Sequence, residues 1–573
     1  MRRFIKPLLA ACLLLGLAGC ASEGGDPTEA VPTGVFQVVY VPDLAGLWDG
    51  ADSLINELRG VAPNLADEAV GRIEEFAREM FDAEEPPVES LQGLWDLGVD
   101  VDKPFCVALG GFPEPQAVII ISLNDPDAFS NFYYETLGEE KPEPIENYAE
   151  AEIRLSKGFY SVQTDGLFVA SESFPLVKSC LDALADPEKR FFAVDSVRPL
   201  VEHFGDATAC VLVDLSSIRG FLALAMTQAL EVPGVVKDWL TKVQSVGLGL
   251  TIQPEGLRFC AVACGDFTDS DGPEAELPVP RDCLAFIGGD EGPLPLSEKE
   301  GIAGMLVNAL KMFPESAEFI AAVGEDNLMS LVQSVGGGSF LFLPDAGWMP
   351  GVTFGLKLDD PALFKLIYDS KLRPLLASAL EEEMDGAVLE HRTDGDVELD
   401  ELTVAGPITL PFKPALAFYD GYLILTSDSG MVAEIRDVDL GRAEGVYSNE
   451  DYRLLEGQLP GYKVVGFASA DKLIKLLAMT PGLELPEAVQ ILGDHFALVS
   501  AGVALDGGVA EAVLLVSTRA YSPDSSVPRT EITRGLPWWL WLVIGLGAAI
   551  VVVLVVVLAT RKKREGQGVL PGA

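Results

Sequence analysis

Two long stretches of this chain pass through the same motifs in the same order, and that repetition restricts the fold more than any other feature. Phe105-Cys106-Val107-Ala108-Leu109 leads through a Gly/Pro turn into Ala117-Val118-Ile119-Ile120-Ile121, then Asn124-Asp125-Pro126-Asp127-Ala128-Phe129. Later, Phe340-Leu341-Phe342-Leu343 leads through a Gly/Pro turn into Gly351-Val352-Thr353-Phe354, then Asp359-Asp360-Pro361-Ala362-Leu363-Phe364. The run around Asp165-Gly166 is matched by the run around Asp420-Gly421, and Leu222–Thr227 by Lys475–Thr480. Each stretch closes on apolar runs around an acid/Gly turn, at Glu255-Gly256 and Asp506-Gly507. Four matches displaced by 235 to 255 residues predict a tandem duplication, with copies at 35–265 and 283–518 and an acidic, Pro/Gly-rich linker at 266–282.

Local patterns define what each copy contains. Phe36 to Val41 predicts a strand, followed by a helix capped by Asp43 that carries Leu44, Leu47, Trp48, Ala51, Leu54, Ile55 and Leu58 on one face. Leu65, Ala69, Ile73, Phe76 and Met80 predict a second amphipathic helix, capped by Asn64. Asp125-Pro126 and Asp360-Pro361 read as helix starts with proline in the first turn, and the two Asp-Gly pairs as hairpin turns. The expected fold class is α+β: two tandem copies of a module of mostly antiparallel sheet with packed amphipathic helices, plus one C-terminal transmembrane helix. On its order of elements and its Asp-Pro and Asp-Gly turns, the chain resembles the duplicated α+β lipoproteins of bacteria known as domains of unknown function. That resemblance lends no activity.

The termini predict anchoring. Residues 1–20 run from Arg2, Arg3 and Lys6 through a short apolar centre to Leu17-Ala18-Gly19-Cys20, the layout of a secretory signal. Leu-Ala-Gly-Cys resembles the lipobox of bacterial lipoproteins, which implies a lipid on Cys20 as the first mature residue, followed by a tether at 21–34. Trp538 to Thr560 is 23 residues without a charge, long enough as a helix to cross about 30 Å of hydrocarbon. Three tryptophans crowd its start, and Arg561-Lys562-Lys563-Arg564 opens the tail at 561–573. The positive-inside rule then leaves the body extracytoplasmic, with 519–537 as its linker to the membrane. Tails of this shape also resemble surface-sorting signals that are later removed. Relaxed tethers favour both anchors in the cytoplasmic membrane, with the outer membrane or cell surface as the alternative.

Charge and cysteine content narrow the partners. With 87 Asp plus Glu against 40 Lys plus Arg, the formal net charge is −47, which repels nucleic acid and anionic headgroups. A solvated acidic shell explains it without a cation site. Beyond Cys12 and Cys20, six cysteines remain, at 106, 180, 210, 260, 264 and 283. They contain no CxxC, and their fifteen pairings leave open buried thiols or one or two structural bridges. Zinc is not expected from these spacings.

No catalytic constellation is legible. His203, His391 and His495 are isolated in sequence, without metal-ligand spacing, and no GxSxG elbow occurs. Gly336-Gly337-Gly338-Ser339 lacks the Lys-Ser/Thr of a P-loop and reads as a loop before the strand at Phe340. Asp394, Asp396, Glu398 and Asp400 begin like a calcium loop, but Leu399 and Ala405 stand where glycine and glutamate are required. Their period of two predicts a solvated strand face. Asp269, Asp271 and Glu274 read as linker, while the paired turn acids Asp125 with Asp360 and Asp165 with Asp420 have backbone reasons to be there. No catalytic, cofactor or metal residue is assigned. The expectation is a non-enzymatic, membrane-anchored envelope protein that binds or positions a partner; the alternatives are an envelope hydrolase whose acids assemble only in three dimensions, or a calcium-stabilised surface or adhesion protein.

Overall fold

The computed structural model describes residues 25–42, 44–61, 91–111, 114–136, 141–205, 207–220, 242–253, 255–266, 276–290, 316–345, 351–383, 386–404, 413–460, 463–478, 495–506 and 508–520, with single positions at 304, 307 and 311. Cys20, the helix expected at 65–80, its cap Asn64, Asp43, the acids at 269–274 and the apolar segment 538–560 lie outside them.

Two compact units emerge, one of Met1–Glu231, Leu240–Phe267 and Gly507–Ala520, the other of Val232–Trp239, Thr268–Asp506 and Tyr521–Ala573. The first contains β1 (Val35–Val41), β2 (Phe105–Gly110), β3 (Gln116–Ser122), β4 (Pro144–Tyr148), β5 (Ala151–Ser156), β6 (Phe159–Thr164), β7 (Leu167–Ser171), β8 (Ala209–Asp214), β9 (Val243–Gln253) and β10 (Gly256–Gly265). The second contains β11 (Cys283–Asp290), β12 (Val335–Pro344), β13 (Thr353–Leu358), β14 (Ala387–Asp394), β15 (Val397–Val404), β16 (Ala415–Tyr419), β17 (Tyr422–Thr426), β18 (Lys463–Ser469) and β19 (Leu498–Asp506). The last strand, β20 (Val509–Ser517), belongs to the first unit and runs antiparallel along β10, Gly256 opposite Ser517 through Cys264 opposite Val509.

These pairings correct the expected architecture. Among the described residues the strands form one antiparallel sheet rather than two separate modules, and the last described strand, β20, is not part of the unit that its sequence neighbours form. Among the described residues no helix is long and apolar enough to cross a membrane. The physical reason lies in what alternation encodes: it fixes which residues form strands and which face they bury, while edge pairing across some 250 residues has no local signature. The Gly336–Ser339 run is corrected too, because it lies inside β12.

In the first unit the strands run β4-β5-β6-β7-β3-β2-β1-β8-β9-β10-β20, every pair antiparallel. Asp165 and Gly166 join β6 to β7 with φ of 48° and 71°, the double positive φ of the tight hairpin turn. Asp125 Oδ1 accepts from the backbone N–H groups of Asp127 and Ala128 and so caps the helix Pro126–Thr136. That helix drives Phe129 against Phe168, ring centroids 4.9 Å apart, in a core shared with Phe105, Val41 and Leu94.

The second unit is ordered β14-β15-β16-β17-β13-β12-β11-β18-β19. Asp420 and Gly421 turn β16 into β17 with φ of 42° and 76°. Asp360 caps the helix Pro361–Ile367 through the Leu363 N–H at 2.9 Å. Leu277 and Val279, from the stretch expected to be linker, are buried, and Val279 accepts from the Val446 N–H.

Candidate functional site

The histidines that look isolated in sequence are partnered in space. In the first unit, the helix Arg198–His203 ends at Phe204, whose N–H donates to the Leu200 carbonyl. Phe204 then packs on β9, at the two places where that strand has no side chain. A Cβ built on Gly247 would come within 2.3 Å of the ring, and one on Gly249 within 2.5 Å. The Thr208 N–H donates to the Leu250 carbonyl and pins the following turn to the same strand.

This docking brings His203 over β10 and β20. His203 Nε2 stands 2.7 Å from Glu511 Oε2, and the Cys260 thiol donates to Glu511 Oε1 at 2.8 Å. Cys260 Sγ and His203 Nε2 are 4.0 Å apart, and the Arg258 guanidinium reaches Glu511 Oε1 at 3.3 Å. Register explains the convergence. Arg258, Cys260 and Val262 alternate onto one face of β10, and Glu511 lies opposite Val262, diagonal to Cys260. The Glu511 side chain is only 2% exposed, whereas His203 keeps 17% and Arg258 27%, so the buried carboxylate has cationic and hydrogen-bonding partners facing solvent on one side. Among the described residues this is the one cluster of His, Cys and acid side chains close enough to share an ion.

The second unit builds a different buried acid. Asp400 Oδ2 accepts from the Tyr368 hydroxyl at 2.7 Å and from Arg373 Nε at 3.2 Å, while His391 Nδ1 lies 2.9 Å from Oδ1. Tyr368 and Arg373 are five apart, and the intervening Tyr368–Leu372 is a π-helical turn closed by the Arg373 N–H on the Tyr368 carbonyl. A five-residue turn stacks both side chains on the same side, which an α-helix would not. Burial, with the bond to Asp400, pushes the Tyr368 hydroxyl's pKa well up. Asp400 is 3% exposed, so the expectation of a solvated acid face fails at this residue. Asp394 and Asp396 flank the β14–β15 turn and are exposed as expected.

The neighbouring Glu401 carries a testable pH effect. Burial by itself would raise its pKa, but the Ser429 hydroxyl, Arg392 and Lys413 outweigh that and hold it below its ordinary value of 4.5. A carboxyl depressed on folding stabilises the protein above its unfolded pKa, and that contribution disappears as pH falls through the lower, folded value. Glu434, raised by burial and by Asp428 and Asp282, works in the opposite sense. Melting temperature followed from neutral pH into acid should therefore fall less steeply for Glu401→Gln than for the wild type. Parallel curves would remove Glu401 from the acid response.

All six described cysteines are buried and none is in a disulfide. Burial pushes the thiols of Cys210 and Cys283 up to about 12, and that of Cys264 up to about 11 despite a hydrogen bond with Ser245. Thiols so raised are packing groups. Cys260 differs from them in touching both a carboxylate and an imidazole. Sequence reading missed this because its partners lie 57 and 251 residues away. One signal was available: Glu511 is the lone acid in the apolar run Val509–Ser517 and falls on its inward face with Val513 and Leu515.

A recess of about 300 Å³ lies elsewhere in the first unit, beside β5 and β6. Lys141, Glu150, Glu152 and Arg154 supply both signs of charge, and Tyr134 and Ser161 supply hydroxyls 3.2 Å apart.

No family model and no curated protein matches the chain. Among solved structures, TP0453 in crystal forms I, III and IV aligns with 42–43% of this chain and 80–83% of its own, at 11–12% identity. The TM-scores of 0.23–0.24 are too low to carry an argument about fold or function.

Proposed function

We propose that this chain is a non-enzymatic, membrane-anchored extracytoplasmic protein that binds a partner in the cell envelope. Cys20 and the 538–560 segment are its anchors, and the acidic body is the part that faces the partner. The observation that supports binding is the open recess beside β5 and β6. Its lining offers donors and acceptors of both charges beside the Tyr134 and Ser161 hydroxyls, chemistry suited to a polar segment that carries both an amine and a carboxylate. Arg154 is held there by Glu152 and the Pro142 carbonyl, so the recess is shaped before anything enters it.

The test uses the full chain in its native membrane, with Lys141 replaced by a photo-crosslinking amino acid and, as a second position, Glu390 on exposed β14. A discrete adduct from position 141 that is absent from position 390 is the expected result. Equal adducts from both positions, or none from 141, would overturn the assignment of the recess. Turnover of an envelope substrate by the purified chain would overturn the non-enzymatic reading.

A further inference from the structure

We propose that His203, Cys260 and Glu511 form a binding site for one thiophilic divalent cation of the zinc class. This inference does not depend on what occupies the recess.

The donor set selects the ion. An imidazole nitrogen, a thiol sulfur and a carboxylate oxygen together are the ligands of zinc and its borderline-soft neighbours; magnesium and calcium take oxygen alone. A three-residue set leaves a fourth position for water, and the partial exposure of His203 gives that position a route to solvent. The spacing is also suitable. In tetrahedral coordination with bonds of about 2.0 to 2.3 Å, ligand atoms lie roughly 3.3 to 3.6 Å apart. His203 and Cys260 contact different oxygens of Glu511, at 2.7 and 2.8 Å, and with one ligand atom from each residue all three atoms lie within 4.8 Å of one another, so the widest gap needs to close by roughly 1 Å.

The supports of the three ligands are rigid. Cys260 sits on a strand paired along both edges, with β9 and β20, and Glu511 on the strand beside it. His203 is fixed by the Phe204 ring seated on Gly247 and Gly249. Arg258, on the Glu511 carboxylate, supplies the outer hydrogen bond that orients a metal-bound carboxylate. On binding, the Cys260 S–H bond breaks heterolytically, its proton leaves to solvent, and the sulfur's electron pair forms the bond to the metal. Nothing is oxidised or reduced, and the positive ion replaces a proton between two acceptors.

The experiment takes the full chain in detergent, stripped of metal and kept reduced, and titrates it with Co²⁺ as a spectroscopic probe, then with Zn²⁺ in competition. The expected result is one equivalent of cobalt with a thiolate-to-metal charge-transfer band, displaced by one equivalent of zinc. Cys260→Ser should lose the band and Cys264→Ser should keep it. His203→Ala, at a partly exposed side chain that tolerates truncation better, should bind about tenfold more weakly or worse. No stoichiometric uptake by the wild type, or wild-type affinity in His203→Ala, would overturn the site. A band that survives Cys260→Ser would overturn it equally.

Discussion

In metal-free buffer, Glu511→Ala should destabilise the first unit by about 3 kcal/mol, a shift of roughly two decades in its folding equilibrium. The wild-type carboxylate is 2% exposed and gathers His203, Cys260 and Arg258. Removing it leaves a guanidinium and an imidazole facing a hole under the helix Arg198–His203. Breaking a buried charge pair from one side typically costs about 3–5 kcal/mol, and the partial exposure of Arg258 and His203 places this case at the low end. Arg258→Ala should cost less, since Glu511 then keeps His203 and Cys260. The double variant should fall short of the sum, because once the acid is gone the arginine has less to lose. Denaturant unfolding of the four proteins measures all of this. Strict additivity would mean that the two side chains do not interact.

Gly98→Ala should be at least as damaging, roughly 3–5 kcal/mol, for a backbone reason. Gly98 has φ of +90°, and a Cβ there would lie 2.1 Å from the Asp125 carbonyl oxygen and 2.8 Å from the Phe129 nitrogen. Both are main-chain atoms at the start of the helix Pro126–Thr136, and neither can rotate aside. The Gly98 carbonyl itself accepts from the N–H groups of Asn124 and Asp125, so relief of the clash would pull the helix start off the loop that caps it. Phe129, one turn along, would leave its contact with Phe168. Gly158 supplies the control, having the same φ of +90° with nothing within 4 Å of a built Cβ. Gly158→Ala should show only the conformational penalty, about 1 kcal/mol. Equal losses at the two sites would show that φ, not the collision, sets the cost.

What the sequence made legible follows the range of each interaction. Asp165-Gly166, Asp420-Gly421 and the caps Asp125 and Asp360 are contacts within four residues, and all four are found where local chemistry puts them. The strands around Phe105, Ile120, Phe340 and Leu423 follow from their apolar runs. The pairing of β10 with β20, which places β20 in the first unit instead of with its sequence neighbours, depends on strand edges that carry no pattern. The same distance hides His203, Cys260 and Glu511, because each residue read alone has an ordinary structural explanation. Asp400 was misplaced for a narrower reason. Period-two alternation assigned it to a wet face, but Tyr368 and Arg373, aligned by the π-helical turn, cover that part of β15.

The central claim, an extracytoplasmic body tethered at both ends, is tested most directly by proteolysis from outside. Intact spheroplasts producing the chain with an epitope at its C-terminus are treated with protease, for the wild type and for Cys20→Ala. The account predicts that the body between residues 35 and 518 is digested while the epitope survives on a small membrane-bound fragment. It also predicts that wild type alone incorporates a labelled fatty acid. A body protected until the membrane is broken, with no lipid label on Cys20, would contradict it.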